Sequence, residues 1–414
     1  FYYEDNDFWA WYWAVDDVKI SRKDLNNIQA NSSWIYGETH YGAEYGRVPI
    51  TEIDANWVVG AQVTNDGVND QTNVTLNADF GSFSTTSSLG IVESDSTSVI
   101  ESLEPLTLTA GTYQGTFTVS SDSDQVGGAN FGDNTYERNF EITSDVYSLD
   151  GIGLHPAGYE ALGSLGSNSW ADAADGLVCG TYYNLKQTQV LNSVRTYITS
   201  TSVAQAEVIL YIIDSLSFST GAFGNATYTS DLYTLTTNDV ANGYFDLSIA
   251  TLSGWDPSTN SNTWENLTLS AGGYYLAVEL FSGGGTYHVR IVDDATVTQP
   301  AWSSAIWYPA PTSTFYSNGN AFAIRMNMGA NVGVNENVSN EVSIYPNPTS
   351  DVLNISTNSN NLSELTVKDI TGKIVLSQKF NTKITINTEN YSKGIYLIDV
   401  KNDLGTVSEK ISVQ

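Results

Sequence analysis

Basic residues are scarce in this sequence of 414 residues. Lysine and arginine together number 16 against 46 aspartates and glutamates, which gives a formal net charge of −30. A nucleic-acid-binding protein needs a basic surface that displaces counterions from phosphates, and anionic membranes attract clusters of the same residues. The composition therefore excludes nucleic acid and anionic lipid surfaces as partners.

Cysteine and long apolar runs are nearly missing as well. Cys179 is the single cysteine, so no disulfide forms within the chain, and the thiol is expected to be a small buried core residue. No segment reaches the roughly 18 consecutive apolar residues of a membrane-spanning helix. The sequence begins at Phe1 within a predicted strand, and we expect it to be part of a longer product.

Catalytic motifs are also missing. The chain has three histidines, His40, His155 and His288. None lies in an H-E-x-x-H motif, and there is neither a G-x-S-x-G elbow nor a phosphate-binding loop. Acid pairs such as Asp16/Asp17 and Asp293/Asp294 have the chemistry of glycoside hydrolysis, but among 46 acids such pairs arise freely. We predict that this chain is not an enzyme, with a catalytic domain before Phe1 left open.

Strand-forming and turn-forming residues dominate what is present. The chain contains 34 glycines, 25 tyrosines and 10 tryptophans, whereas segments with the apolar spacing of helices are few. Short apolar or alternating runs, such as residues 57–64, 113–120 and 206–214, are typical of strands. The predicted fold class is all-β, with tandem β-sandwich domains of jelly-roll and Ig-like type.

Charge is divided unevenly along the chain. Residues 341–414 hold 7 lysines and 8 acids, whereas the residues before them hold 9 basic residues and 38 acids. Such a change indicates a boundary between domains with different roles. The predicted segments are 1–20, the end of a truncated jelly-roll domain; 21–55, a connector; 56–147, an Ig-like domain; 148–328, a jelly-roll-like sandwich; 329–340, a flexible linker; and 341–414, a C-terminal domain.

Two upstream segments resemble domains of surface proteins. The run FYYEDNDFWAWYWAVDDVKI at 1–20 is similar to the final strand of MAM and lectin-like jelly rolls. The stretch WVVGAQVTNDGVNDQTNVTLNADF, which begins at Trp57, resembles the CARDB type of Ig-like bacterial domain. The matching positions in this stretch are Val63, Asn65, Gly67, Asn73, Val74 and Leu76, and Leu108 and Gly111 match, with altered spacing, in the later stretch SLEPLTLTAGTYQGTFTV. This resemblance implies an Ig-like sandwich over 56–147.

The C-terminal segment carries three motifs in a fixed order. They are VSIYPNPTSDVLNIS at 342–356, LTVKDITGKIVLSQ at 365–378 and INTENYSKGIYLIDVKNDLGTVSEKISVQ at 386–414. Together they resemble the type A C-terminal sorting domain of type IX secretion in Bacteroidota. The motif residues are Tyr345, Pro346, Asn347, Pro348, Gly372, Lys373, Gly394, Tyr396 and Lys410. The two prolines prevent helix and favour an extended entry into a strand.

This resemblance implies a route of export and a location for the protein. It implies that the domain binds an outer-membrane shuttle protein after passage through the type IX translocon, and that a surface sortase then removes it. The cargo is thereby anchored or released. The expected location is therefore the cell surface or the extracellular medium.

Two further kinds of site follow from local patterns. Asp122, Asp124, Asp133 and Asn134 lie in one glycine-rich stretch whose oxygens suit calcium, although the order of an EF-hand loop is missing and a solvated loop is the alternative. No other cofactor is predicted. Ser96 and Ser215 lie in Asp-Ser-x sequences that resemble the O-glycosylation acceptor of exported Bacteroidota proteins.

Three functions remain open for the part before the C-terminal domain. The repeated sandwich pattern favours an adhesive or binding protein, an adhesin with glycans or cell surfaces as partners. The first alternative is an accessory part of a large secreted protease or glycosidase. The second alternative is a carbohydrate-binding module, which the 49 aromatic residues suggest and which requires exposed tryptophan or tyrosine rings along a groove.

Overall fold

A computed structural model of the protein describes residues 22–125, 127–128, 130–256, 261–309, 311–328, 342–357, 362–369, 372–402 and 405–414. The chain divides into two compact units, Phe1–Ala330 and Asn331–Gln414. The predicted jelly-roll strand at 1–20 and the predicted linker at 329–340 lie outside the described residues. Among the described residues, no helix has the length and apolar character needed to cross a membrane.

The first unit opens with an Ig-like sandwich. Its strands are β1 (Ile28–Gly37), β2 (Arg47–Pro49), β3 (Asn56–Asn65), β4 (Gln71–Asp79), β5 (Ser84–Val92), β6 (Thr97–Pro105), β7 (Gly111–Ser120) and β8 (Thr135–Thr143). One sheet has the order β1-β3-β6, and the facing sheet has the order β2-β8-β7-β4-β5. Along β7, the buried Tyr113, Phe117 and Val119 alternate with exposed or half-buried polar residues, which is the alternation expected of a strand with one face in a core.

The prediction of an irregular connector at 21–55 was wrong. This stretch contains β1 and β2, and β1 pairs antiparallel along its length with β3. The register shifts between Ala30 and Ser32, and the buried Ser33 occupies an inward position. A bulge and a polar core residue break the two-residue period, so the strand was not visible in the sequence pattern.

A larger sandwich completes the first unit. Its strands are β9 (Val146–Tyr147), β10 (Leu162–Gly166), β11 (Asp175–Leu185), β12 (Gln189–Tyr197), β13 (Glu207–Ile213), β14 (Tyr228–Thr229), β15 (Tyr233–Thr234), β16 (Tyr244–Ser248), β17 (Ala250–Asp256), β18 (Ser261–Leu269), β19 (Gly272–Phe281), β20 (Arg290–Asp294), β21 (Ser304–Tyr308), β22 (Thr314–Ser317), β23 (Ala321–Phe322) and β24 (Ile324–Met328). Two short helices, α1 (Ser215–Ser219) and α2 (Thr237–Asn242), lie in its loops, and single 3-10 turns cover Glu38–His40, Phe131–Asp133, Ala171–Ala173 and Phe223–Asn225.

Three sheets build this larger sandwich. Their orders are β14-β13-β19-β11-β21-β22 with β15 on β13, β17-β18-β12-β24-β9 with β16 on β12, and β10-β20-β23. The central strand β11 has a continuous apolar run, and Cys179 on it is fully buried, as predicted. Burial raises the pKa of the Cys179 thiol, so the thiol remains protonated and inert.

The two sandwiches of the first unit share one hydrophobic core. Where they meet, the rings of Tyr45, Tyr147 and Tyr183 pack with centroids 4.7–5.8 Å apart. Strand β9 leaves the Ig-like sandwich and pairs with β24 of the larger one. The segments predicted as separate domains at 56–147 and 148–328 therefore pack as one compact unit.

The second unit is a small sandwich of two antiparallel sheets. Its strands are β25 (Val342–Tyr345), β26 (Val352–Thr357), β27 (Ser363–Asp369), β28 (Ile374–Phe380), β29 (Lys383–Asn387), β30 (Gly394–Asn402) and β31 (Gly405–Val413). The sheet orders are β25-β26-β29 and β28-β27-β30-β31. Leu353 and Ile355 face inward and are fully buried, with Val367, Ile398 and Val400 opposite them in the core.

Candidate functional site

The Tyr345-Pro346-Asn347-Pro348 motif is tied to the last strand of the second unit. Asn347 Nδ2 donates a hydrogen bond to the carbonyl of Lys410 (2.9 Å), and the Ser412 amide donates to Asn347 Oδ1 (3.0 Å). The amide of Thr349 then donates to the carbonyl of Ser412 (2.8 Å). Prolines have no N–H to donate, so the asparagine side chain supplies the bonds that a strand backbone would make.

The other motif residues shape turns and one buried anchor. Gly372 has φ +87°, in the left-handed region that favours glycine, at the turn between β27 and β28. The Lys373 amide donates to Asp369 Oδ1 (3.1 Å) in the same turn. Gly394 begins β30, and Tyr396 on that strand is buried, with its hydroxyl donating to the carbonyl of Ser392 (2.9 Å). These motif residues therefore shape one turn and anchor β30 in the core.

The acids of the proposed calcium loop point to different partners. Asp122 accepts hydrogen bonds from Thr72 Oγ1 (2.8 Å) and Asn73 Nδ2 (2.6 Å). Asp124 is buried and accepts from the Ile28 amide (3.0 Å) and from Asn134 Nδ2 (3.4 Å). Asp133 accepts from Asn27 Nδ2 (3.3 Å). Across the described residues, no group of three or more His, Cys, Asp or Glu side chains could hold a metal ion. A calcium site here stays a prediction.

The two candidate glycosylation sites differ in setting. Ser96 is partly buried in the turn before β6, and its hydroxyl donates to the carbonyl of Glu93 (2.7 Å). Ser215 is exposed at the first position of α1, where Asp214 caps the helix by accepting from the amides of Leu216 and Ser217. Glycosylation at either serine stays a prediction; Ser215 is the more exposed residue, and its hydroxyl contacts that of Tyr182.

An aromatic cleft lies where the two sandwiches of the first unit meet. We call it the junction cleft; its volume is about 560 Å³. It is lined by Thr39, His40, Tyr41, Tyr45, Tyr182, Asn184, Ser215, Ser219, Tyr275, Trp302 and Phe315. The Ig-like sandwich contributes 39–45, and the larger sandwich contributes the others. No local sequence pattern could reveal this cleft, because its walls come from segments far apart in the chain.

Hydrogen bonds and ring packing fix the aromatic walls of the junction cleft. The ring of Tyr182 meets Trp302 and Tyr275 edge to face, with centroids 5.2 Å apart in both cases. Tyr45 donates its hydroxyl to the carbonyl of Tyr182 (2.7 Å), and the Tyr275 hydroxyl donates to the carbonyl of Trp302. Tyr41 is 75% exposed at the rim. The walls are therefore rigid, while one tyrosine stands free to meet a ligand.

The junction cleft is uncharged although the chain carries −30. Hydroxyls, one amide and aromatic rings line it, and none of its lining residues is an acid, a lysine or an arginine. Burial lowers the pKa of His40 to about 4, outweighing the nearby Asp54 carboxylate, so the imidazole is neutral at physiological pH. Burial likewise raises the pKa of Tyr182 and Tyr275, which keeps both phenols protonated.

A second aromatic groove lies on the β21–β22 side of the larger sandwich. Trp170 and Tyr316, which are 40% and 47% exposed, flank Tyr308 with ring centroids 5.5 and 6.3 Å from it. Tyr308 donates its hydroxyl to the carboxylate of Asp172. This groove therefore differs from the junction cleft by having a charge beside its central ring.

The acid pair Asp293/Asp294 has a structural setting. Asp293 accepts hydrogen bonds from Asn318 and Asn320, and Asp294 accepts from the Gly151 amide and lies 2.7 Å from His155 Nε2. Both carboxylates are buried and committed to these partners. The other pair, Asp16/Asp17, lies outside the described residues.

Comparisons with known proteins agree with the motif analysis of the C-terminal segment. The family described as the secretion system C-terminal sorting domain matches residues 343–414. No curated protein matches the chain. No catalytic family was found.

Solved structures give weak matches to the chain. A CARDB domain of a Pyrococcus furiosus protein in complex with di-metal ions is 15% identical, covers 30% of this chain and 98% of its own, and has a TM-score of 0.21. A β-glucuronidase from Ruminococcus gnavus is 8% identical over 58% of this chain, with a TM-score of 0.17, and only 35% of its own length is covered. A Bacteroides ovatus glucan-utilization protein in complex with a mixed-linkage heptasaccharide is 14% identical, covers 94% of this chain and 70% of its own, and has a TM-score of 0.14.

The fold and the family match lead to one conclusion about identity. The second unit has the sandwich that its three motifs predict, and its described motif residues occupy the turns, the buried anchor and the contact with the last strand. Residues 343–414 are a type IX secretion C-terminal sorting domain, and the protein that carries them is cargo exported to the cell surface or the medium.

Proposed function

We propose that this exported protein is a non-catalytic binding protein whose junction cleft takes a segment of uncharged glycan. One observation carries the proposal: a strongly acidic chain has a rigid cleft lined only by rings, hydroxyls and an amide. Sites for small ligands are mostly apolar pockets with a few placed polar groups, and this cleft has that composition.

The chemistry of the lining suits a neutral sugar. The apolar C–H face of a pyranose ring packs on aromatic rings such as Tyr41 and Trp302, whose tips remain polar. Asn184, Ser219 and Thr39 supply the hydroxyl and amide groups that sugar hydroxyls bind. An anionic sugar would gain no counter-charge from this lining, so neutral glycans are the expected class.

Glycan binding by the full chain tests this function. Titration calorimetry with neutral and anionic oligosaccharides should show binding of neutral ones. Tyr41→Ala removes an exposed ring without disturbing the core and should weaken binding about tenfold, a loss of about 1.4 kcal/mol. Trp170→Ala in the second groove is the matched control and should leave the affinity unchanged. Binding that Tyr41→Ala does not affect, or binding of anionic glycans alone, would refute the junction cleft as the site.

We further propose the sequence of export events that the sorting domain implies. The type IX translocon and an outer-membrane shuttle protein bind it, and a surface sortase removes it in a Bacteroidota host. Deletion of 341–414 should trap the remaining protein in the periplasm, as measured by cell fractionation. Normal levels of the truncated protein at the surface or in the medium would contradict the proposed role of the sorting domain in export.

A further inference from the structure

A lysine and an aspartate from the two sandwiches of the first unit meet behind the wall of the junction cleft. Lys186 follows the last residue of β11, and Asp54 precedes β3. Lys186 Nζ lies 2.7 Å from Asp54 Oδ1, and the two side chains are 22% and 8% exposed. The pair therefore joins segments that are 132 positions apart in the sequence.

The buried amine of Lys186 is paired with the carboxylate of Asp54. Its Nζ lies 2.7 Å from Asp54 Oδ1 but away from ideal hydrogen-bonding angles. The backbone amide of Lys186 donates to Oε2 of the buried Glu52 (2.6 Å), which fixes where the side chain starts. Burial lowers the pKa of Lys186, which increases the share of neutral, nucleophilic amine.

Residues other than Lys186 orient the carboxyl group of Asp54. Thr39 Oγ1 donates to both of its oxygens, at 3.0 and 3.2 Å. His40 Nδ1 accepts from the Gly37 amide (3.3 Å), which places the ring proton on Nε2, 3.3 Å from the Tyr147 hydroxyl and 3.8 Å from Asp54 Oδ2. The Thr39 hydroxyl thus holds both oxygens of Asp54, and the Lys186 amine approaches Oδ1.

We propose that Lys186 and Asp54 condense to an intramolecular amide that cross-links the two sandwiches. Within the ion pair, the Lys186 ammonium passes one proton to the Asp54 carboxylate, and the lone pair of the resulting neutral Nζ adds to Asp54 Cγ and forms the C–N bond. The bond from Cγ to one carboxyl oxygen breaks, and that oxygen leaves as water with the transferred proton and a second proton from the amine. No oxidant or other co-reactant is needed, and the folded chain supplies the proximity that drives such reactions.

Other ion pairs of the described residues lack this combination. Lys368 Nζ lies 2.7 Å from Asp399 Oδ2, but both side chains are more exposed, at 34% and 24%. Lys23 and Asp95 are more exposed still. Arg325 is buried beside Asp150, yet a guanidinium stays protonated and does not act as a nucleophile. Burial of a lysine amine together with an oriented carboxyl group therefore sets Lys186 and Asp54 apart.

The intact mass of the purified full chain tests the cross-link. We expect the wild-type chain to be lighter than its sequence mass by one water molecule, and tandem mass spectrometry to find one branched peptide that joins Lys186 to Asp54. Lys186→Arg and Asp54→Ala should each restore the full mass. Lys368→Arg is the matched control and should keep the loss of one water.

Two results would overturn the proposal. The first is a wild-type chain of full mass without a branched peptide, which would make the pair an ordinary ion pair. The second is a loss of water that persists in Lys186→Arg, which would place the dehydration elsewhere. The wild-type measurement decides the question even where a variant fails to fold.

Discussion

The two units of this protein stabilise their cores in opposite ways. The first unit buries charged groups, among them Asp150, Asp294 and Arg325. In the described part of the second unit, the buried polar residues are uncharged: Thr349, Thr357, Ser363 and Thr388. Buried charges are costly unless they are paired, so each one constrains which segments meet. The comparison suggests that the first unit uses charge to define how its two sandwiches pack, whereas the sorting domain needs only a simple apolar core.

The largest expected effect comes from breaking a buried pair of the first unit. Asp150 is fully buried; Arg325 Nε donates to it at 3.0 Å, and Arg47 lies 4.0 Å away. Asp150→Asn keeps the shape of the side chain but leaves the buried guanidinium group of Arg325 without its counter-charge, whereas Arg47 keeps Glu141 at 3.3 Å. We expect a loss of about 3–5 kcal/mol in the free energy of unfolding. All ten tryptophans precede residue 342, so tryptophan fluorescence during urea unfolding reports on the first unit alone.

The matched change in the second unit should cost little. Lys368→Met removes a half-exposed partner of Asp399, and pairs near the surface contribute about 0–1 kcal/mol. Hydrogen exchange of the β27 and β30 amides measures this change. Equal losses from Asp150→Asn and Lys368→Met would show that the contrast between the two cores is false.

Acid should destabilise the first unit through His40. Its pKa is about 4 in the folded chain, against an ordinary value of 6.5, chiefly because burial disfavours the charged ring. The unfolded chain therefore binds the extra proton first, and stability falls as the pH drops from 6.5 towards 4, by about 3 kcal/mol in total. The stability gained from keeping His40 neutral is fully present above pH 6.5, the ordinary pKa of histidine in the unfolded chain.

A histidine variant isolates this effect from the carboxylates that titrate in the same range. His40→Gln should flatten the dependence of the fluorescence-detected unfolding free energy on pH across that window. The sorting domain contains no histidine, so its hydrogen exchange should lack this component. A wild-type slope that survives in His40→Gln would assign the acid sensitivity to another group.

A smaller effect is expected at the motif of the sorting domain. Asn347→Ala removes the two bonds to the backbone of Lys410 and Ser412, which are exposed to solvent, and should destabilise the second unit by about 1 kcal/mol. Faster hydrogen exchange of the Ser412 amide is the measurement. Asn354→Ala, which loses only an exposed contact with Thr385, is the control and should leave that amide unchanged.

The local sequence pattern predicted most strands and the sorting domain. It could not predict contacts between segments that are far apart in the sequence. Alternation in β7 and the inward Leu353 and Ile355 follow from side-chain period, which neighbouring residues carry by themselves. The first strand was missed because Ser33 fills a core position and a bulge shifts the register. The role of Asn347 was also missed, since its partners lie 63 and 65 positions away. The junction cleft and the Lys186–Asp54 contact likewise depend on distant segments.

The smallest effect is expected from removing calcium. Asp122, Asp124 and Asp133 each accept hydrogen bonds from protein donors in different directions, so binding one ion would require breaking several of these bonds. An ion that binds only the folded state would raise the melting temperature, and a chelator would lower it again. We therefore expect chelator to leave the melting temperature of the full chain unchanged. A drop that added calcium reverses, and that Asp122→Asn abolishes, would show that the loop rearranges around the ion. The first unit would then neutralise some of its carboxylates with a bound cation, in addition to those that its own basic side chains neutralise.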